Sequence, residues 1–229
     1  MNMHCSGGVS IVTLLQVKSD PEITCYIDMA DQSLGAMGYT DHSFRHLEIV
    51  AHKAQEILLK LQYPPRLAEL AAIAAYLHDI GNVVSRHNHS QAGAILAFNI
   101  LKRMGMSCEE IALVIAAIGN HDEGEGQIVN LLTAALVLAD KTDVHRSRVR
   151  NKDFAKFDIH DRVNYAVIES ALMVEAQGRD ITLFLTIDIK IVPVLEYFDI
   201  FLLRMKMCCR AADYINCHFS IVINNAKLL

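Results

Sequence analysis

Apolar residues recur at helical spacing along the first two thirds of the chain. Leu47, Val50, Ala51, Ala54, Ile57, Leu58 and Leu61 share one face of a 3.6-residue repeat. Tyr63-Pro64-Pro65 closes that helix, because proline offers no amide hydrogen to continue it. Leu67, Leu70, Ala71, Ala74 and Leu77 form the next stripe, with Gly81 as its expected stop. Ser90 is placed to cap a helix running to about Met104, and Ser107 with Glu110 has capping-box spacing ahead of Ile111, Val114, Ile115 and Ile118. The run from Ile128 to Ala139 predicts one more buried helix. Before this region, Asp20-Pro21 reads as a helix start, with an N-cap and proline at the first helical position.

After residue 160 the period changes. Val163 to Val174, rich in β-branched residues, predicts a strand, although a helix stays open there. Gln177 to Asp180 reads as a turn. Ile181, Leu183, Leu185 and Ile187 then alternate with Thr182, Phe184, Thr186 and Asp188 in a strand pattern. Val192 to Tyr214 predicts a helix, and His218 to Ile223 alternates again. The expected architecture is mainly α: a lead-in over 1–40, a helical bundle over 41–150, and a small α+β subdomain over 151–229 with about three strands and one helix.

Composition narrows the function classes. A net charge of −5 argues against a non-specific nucleic-acid or anionic-membrane binder. No apolar run approaches the ~18 residues of a membrane span, and the N-terminus lacks the basic start of a signal peptide. The six cysteines, Cys5, Cys25, Cys108, Cys208, Cys209 and Cys217, show no C-x-x-C pair, so reduced thiols in a cytoplasmic protein are expected. Histidine stands out: eight of the 11 lie between His42 and His145.

Several of these histidines, with two aspartates, interrupt apolar stripes. His78 continues the face of Leu67, Leu70, Ala71 and Ala74, and Asp79 follows it directly. His46 precedes Val50 by one turn. His121 falls near the inward side of its helix, and Asp140 ends the run Leu136-Val137-Leu138-Ala139. Each residue has a plain alternative, a hydrogen-bonded core histidine or a capping aspartate. Together they place imidazoles and carboxylates in one interior, where an uncompensated carboxylate is costly. A divalent cation satisfies both donor types, and the mixture suits Fe, Mn, Ni or Zn, with Mg as a further candidate.

Arg45-His46 with Val50-Ala51, Leu77-His78-Asp79-Ile80-Gly81, and Asp140 resemble the motif of the HD-domain metal-dependent phosphohydrolase superfamily. His89-Ser90 with Ala92-Gly93-Ala94, and Gly119-Asn120-His121-Asp122, resemble its optional histidine elements. The resemblance spans about 41–150 and implies an HD-type helical bundle. It implies His46, His78, Asp79 and Asp140 as metal ligands, and His89 and His121 as ligands of a second metal bridged by Asp79. Asp79 is then also the catalytic carboxylate, and water the nucleophile. Many relatives carry lysine where this chain has Asn82, a residue that can hydrogen-bond to substrate but brings no charge. That departure argues against a cyclic-dinucleotide phosphodiesterase.

After Asp140, five basic residues and one acid occupy Lys141 to Lys152. Lys141 and Arg146 are candidate phosphate contacts; a solvated helix end complementing the dipole is the other reading. Asp122, Glu123 and Glu125 read as a solvated loop, with an acidic lip beside His121 as the alternative. His87 competes with His89 as a ligand and is the weaker candidate. His42 is expected behind the metal or on the surface, and His145 is a distant acid–base candidate. His4, His52, His160 and His218 receive no role. Met205, Met207, Cys208 and Cys209 are expected in a core or interface. The C-terminal strands are expected to cover the cleft or to pair with a second copy in a homodimer. The favoured reading is hydrolysis of a phosphate ester or anhydride of a nucleotide or related small molecule. A nucleotide-sensing module with little turnover is the alternative.

Overall fold

The computed structural model describes residues 11–228. The cysteine reading at Cys5, and His4, lie outside them. Among the described residues, nine α-helices precede, flank and cross a four-stranded sheet.

Helix α1 (Leu14–Ser19) starts at Thr13, which forms a reciprocal capping box with Gln16. Helix α2 (Pro21–Ala36) starts as its sequence predicts, with the Asp20 carboxylate accepting the amides of Glu22 and Ile23. Its buried face carries Ile23, Ile27, Ala30 and Leu34 and packs on the short 3-10 turn Ile80–Val83.

Helix α3 (Phe44–Lys60) buries the predicted stripe, and Gln62 (φ 63°) turns the chain toward Pro64. Helices α4 (Pro65–Leu77) and α7 (Leu131–Lys141) form the centre. Every residue from Leu70 to Leu77 and from Leu132 to Lys141 is buried. Each large apolar side chain buried in this way contributes roughly 1.5–3 kcal/mol. Helices α5 (His89–Arg103) and α6 (Cys108–Gly119) pack beside this centre.

Two local readings shift. Helix α5 begins two residues early, with Asn88 in the left-handed region at the cap (φ 57°), so Ser90 lies inside the helix. At α6, Ser107 accepts the Glu110 amide as expected, but the Glu110 carboxylate is drawn away by Arg66, which reaches it with Nε (2.7 Å) and Nη2 (2.6 Å). A bidentate ion pair outweighs the weaker return arm of a capping box.

The segment Val163–Val174 divides. Helix α8 (Ile159–Ala166), capped by Asp158, takes its first part, and strand β1 (Val167–Glu175) the rest. Strand β2 (Asp180–Ile187) pairs antiparallel with β1 and buries Ile181, Leu183, Leu185 and Ile187, the predicted alternation. Helix α9 (Val194–Tyr214) crosses over to β3 (His218–Ile223), which runs parallel to β2 in the register Ile181↔Phe219 and Leu183↔Ile221. Asn224 (φ 49°) and Asn225 (φ 67°) supply the two left-handed positions of a tight hairpin to β4 (Ala226–Lys227). The tail therefore holds four strands and two helices. The extra strand is two residues long and the extra helix hides in a β-branched run.

Gly81 permits the closest approach in the helical region. A Cβ there would run into the carbonyl oxygen of His89 and the amide of Gly93. The contact seats the turn after α4 against the start of α5, which carries His89. Gly81→Ala is expected to cost about 3 kcal/mol or more, a fall in Tm of roughly 6–12 °C in a chain of this size. Thermal unfolding monitored by circular dichroism measures it.

Candidate metal centre

The ends of the two buried helices meet at one point. His78 caps the C-terminus of α4, Asp79 follows it, and Asp140 lies in the last turn of α7. Helix C-termini carry partial negative charge, so carboxylates gathered there are disfavoured unless positive charge joins them. His46 enters from the first turn of α3, His89 from the start of α5, and His121 from just beyond α6.

Each imidazole is aimed by its Nδ1–H. His78 donates to the Ala75 carbonyl (2.7 Å), His121 to Ile118 (2.6 Å), His89 to Arg86 (3.1 Å) and His42 to Thr40 (2.7 Å). Ala75 and Ile118 belong to the last turns of α4 and α6, whose carbonyls lack helical partners. His46 donates to the Asp143 carboxylate (2.7 Å). A carbonyl or carboxylate oxygen only accepts, so each of these Nδ1 atoms carries a proton and each Nε2 faces inward.

The Nε2 atoms converge on two carboxylates. On Asp79 Oδ2, His78 lies at 3.1 Å, His46 at 3.9 Å and His42 at 4.0 Å; on Oδ1, His89 lies at 3.5 Å. Asp140 Oδ1 lies 3.4 Å from His46 and 3.6 Å from His78. His46 Nε2 is fully buried and has no hydrogen-bond partner. His89 Nε2 and His121 Nε2 face each other at 3.1 Å. Two cis nitrogens of one cation, each bound at about 2.1 Å, stand roughly 3.0–3.4 Å apart. These observations fit a cation. Two overlapping triads could hold one, His46/His78/Asp140 and His78/Asp79/His121. His89 adjoins the second through His121 and Asp79.

The electrostatics agree. Burial alone would push the His78 imidazole down, but Asp79 and Asp140 outweigh it and raise its pKa to about 10. Burial works against charge on Asp79 and Asp140 as well. His78 and His42 around Asp79, and Lys141 and His78 around Asp140, hold both carboxyls well below the usual range. His121 and His42 are pushed well below the ordinary imidazole value, chiefly by burial. A cation can replace the proton that this cluster holds on His78.

The centre opens on a cavity of about 340 Å³ lined in part by Asp79, His89, His121, Asp140 and Lys141. Of the other sequence candidates, His46 and His78 lie behind this wall, and the two remaining substrate candidates, Asn82 and Arg146, do not line the cavity either. Asn82 is buried behind Asp79, where its Nδ2 donates to the Asp79 carbonyl (2.9 Å) and to Oδ1 (3.0 Å). It orients the carboxylate and accepts in turn from the cavity-lining Arg86 (3.3 Å). Arg146 lays its guanidinium over the Tyr165 ring, 5.3 Å from its centre. The turn after α7 carries it off the cavity.

Lys141 does line the cavity, but its buried Nζ is engaged by Asp140 Oδ2 (2.9 Å) and Glu123 Oε2 (2.6 Å). Glu123 is therefore no solvated loop residue. It holds Lys141 and also accepts from Arg204 Nε (2.8 Å), and these cations keep its carboxyl ionised against burial. His87 is exposed, which leaves His89 as the inward one of the pair. His42 points at Asp79 and lines the cavity, as does His160. His145 instead caps a 3-10 turn and bonds the Ile168 carbonyl (2.9 Å). Helix α9, not the strands, covers the cleft, through Phe201 and Arg204.

Sequence reasoning passed over Asp143, Arg148 and Arg204. The signal for Asp143 was present, since it is the one acid in the basic strip. Burial opposes its charge, yet the His46 bond and the Arg148 guanidinium outweigh this and hold its pKa below the usual carboxylate range. Nothing local marks Arg204, which reaches the cleft from α9.

Two comparisons bear on this centre. A family model described as HD domain matches residues 42–145. The uncharacterized protein MJ1020 of Methanocaldococcus jannaschii is 31% identical over 185 residues, covering 70% of this chain and 70% of its own. That share exceeds residues 42–145, so the likeness reaches beyond the helices that bear the site.

Two outcomes follow from the geometry. Asp143→Asn keeps the size of the side chain but removes the charge that holds His46. Metal affinity is expected to fall about 10- to 100-fold, measured by competition with a chromophoric chelator. Metal uptake by the apo-protein near pH 7.5 is expected to release protons, because the His78 proton must leave. Calorimetric titration with Mn²⁺ in two buffers of different ionisation heat checks this; equal heats would mean that no proton is displaced.

Proposed function

The chain belongs to the HD-domain metal-dependent phosphohydrolase superfamily, and from that premise we propose that it hydrolyses a phosphate ester or anhydride of a nucleotide or related small molecule. The observation that carries the reading is the His46 side chain. It is buried, tied to Asp143 at Nδ1, and presents an unpartnered Nε2 to Asp79 and Asp140. A buried nitrogen without a partner is costly unless a ligand completes it.

His46, His78, Asp79 and Asp140 would hold one divalent cation, and His89 and His121 with Asp79 a second. The imidazole-rich set favours Fe, Mn, Ni or Zn over Mg, which prefers oxygen ligands. Bound there, such cations supply Lewis acidity, making water more acidic and drawing charge from phosphoryl oxygens.

The protein's own groups do the rest. Asp79 presents one oxygen to His46 and His78 and the other to His89, while Asn82 fixes its plane from behind. Asp79 is thus an oriented carboxylate, kept ionised beside the reacting phosphate by the imidazoles around it. Lys141 balances Asp140 and keeps that carboxylate ionised. No serine or cysteine lines the cavity among the described residues, which supports water as the nucleophile. The cavity volume of about 340 Å³ falls in the range of small-molecule sites.

The test is metal analysis of protein purified without chelator, then a nucleotide and aryl-phosphate panel on the same sample. Bound transition metal and turnover are expected, and both are expected to vanish in His78→Ala and Asp79→Ala. A variant that keeps both metal and activity refutes the ligand set. Tight nucleotide binding with no turnover under any of the candidate metals points to a sensing module instead.

A further inference from the structure

Four cationic side chains line the cavity: Arg86, Lys141, Arg148 and Arg204. Their free hydrogen-bonding capacity differs. Lys141 lies between two carboxylates. Arg148 has all three guanidinium nitrogens engaged, by the Asp41 carbonyl at Nε and Nη2 and the Asp143 carbonyl at Nη1. Arg86 is bonded through Nη1 to Asn82 (3.3 Å), with that nitrogen 3.9 Å from Asp79 Oδ1 and its guanidinium 5.6 Å from the centre of the Tyr39 ring, which ties it to the Asp79 side of the cleft. Arg204 is bonded through Nε alone, to Glu123, and its guanidinium sits 4.7 Å from the centre of the Phe201 ring. Its two terminal nitrogens have no protein partner among the described residues.

We propose that Arg204 is a phosphate-binding residue of this cleft, supplied by the C-terminal subdomain rather than by the basic strip after Asp140. Phe201 holds the guanidinium by its face and Glu123 by one nitrogen, so the remaining edge is a preset fork, the geometry that takes two oxygens of a phosphate. The chain of contacts Arg204–Glu123–Lys141–Asp140 ties that fork to a metal-ligating carboxylate. Burial lowers the Arg204 pKa and Glu123 and Asp140 more than restore it, so the fork is always charged. Residue 204 lies outside the segment matched by the family model, so the family pattern assigns it no role. The rest of the strip cannot substitute. Arg146 is stacked on Tyr165 and Arg150 is paired with Asp31, both away from the cavity.

The proposal rests on the hydrolase reading for its substrate class, but its test does not need turnover. Binding of inorganic phosphate to the full-length, Mn²⁺-loaded protein is measured by calorimetry for wild type, Arg204→Gln and Arg204→Lys, with metal content assayed in each. Losing a charged bidentate contact is expected to weaken phosphate about 10- to 100-fold in Arg204→Gln, with metal content unchanged. Arg204→Lys keeps the charge without the fork and is expected to fall between the two. Where a substrate is found, KM is expected to rise more than kcat falls.

Unchanged phosphate affinity in Arg204→Gln overturns the proposal. If that variant loses its metal, Arg204→Lys decides, and wild-type phosphate affinity there overturns it equally. Arg204-dependent phosphate binding in a protein that hydrolyses nothing sinks the hydrolase reading and leaves the anion site standing. Turnover with Arg204-independent phosphate binding does the reverse.

Discussion

Two carboxylates held together at the buried ends of two helices are the constraint on which the rest of the structure depends. Asp79 and Asp140 sit where helix dipoles and burial both oppose negative charge. Lys141 neutralises one side of Asp140 and Asn82 donates to one oxygen of Asp79, but Asp140 Oδ1 and Asp79 Oδ2 meet only imidazole nitrogens. A proton shared through His78 relieves this in the apo-protein, and a divalent cation relieves it more completely, because it binds several donors at once. Every neighbouring element serves to bring those donors in with their lone pairs forward.

The backbone does much of that aiming. Carbonyls in the last turns of α4 and α6 take the Nδ1–H of His78 and His121, so helix termination and imidazole orientation are one event. His46 needs a side chain for the same purpose, and Asp143 provides it from beyond α7. Such outer hydrogen bonds fix the tautomer and raise the basicity of a ligand. Gly81 plays a steric part, letting the turn after α4 lie against α5 so that His89 and Asp79 meet.

The C-terminal subdomain completes the cleft. Its sheet lies apart from the ligands, while α9 packs on α7 and carries Phe201 and Arg204 to the cavity wall. Through Glu123 and Lys141 the same helix touches the ligand Asp140. Under the proposed function, the cluster from the helical bundle would take the reacting group and a side chain from the appended unit its oxyanion edge.

Much of this was readable from the chain. Helical and strand periods, the Asp20 and Ser107 caps and the motif at His46, His78-Asp79 and Asp140 are signals carried by neighbouring residues, so they survive without a fold. The inward direction of the ligands was legible too, because it follows from their place on an apolar stripe. Direction beyond a helix end was not. Asn82, Arg146 and Lys141 are near the site in sequence, yet one is buried against Asp79, one stacks on Tyr165 and one is bound by carboxylates. The decisive partners are far apart: His46 and Asp143 are separated by 97 residues, and Arg204 and Glu123 by 81. By itself the sequence determined the elements and the residue types that could hold a cation, since these depend on local propensity and on the cost of buried charge. Only the tertiary structure decided which charged groups neutralise one another and which remain free for a substrate, because that depends on where packing brings distant helices together.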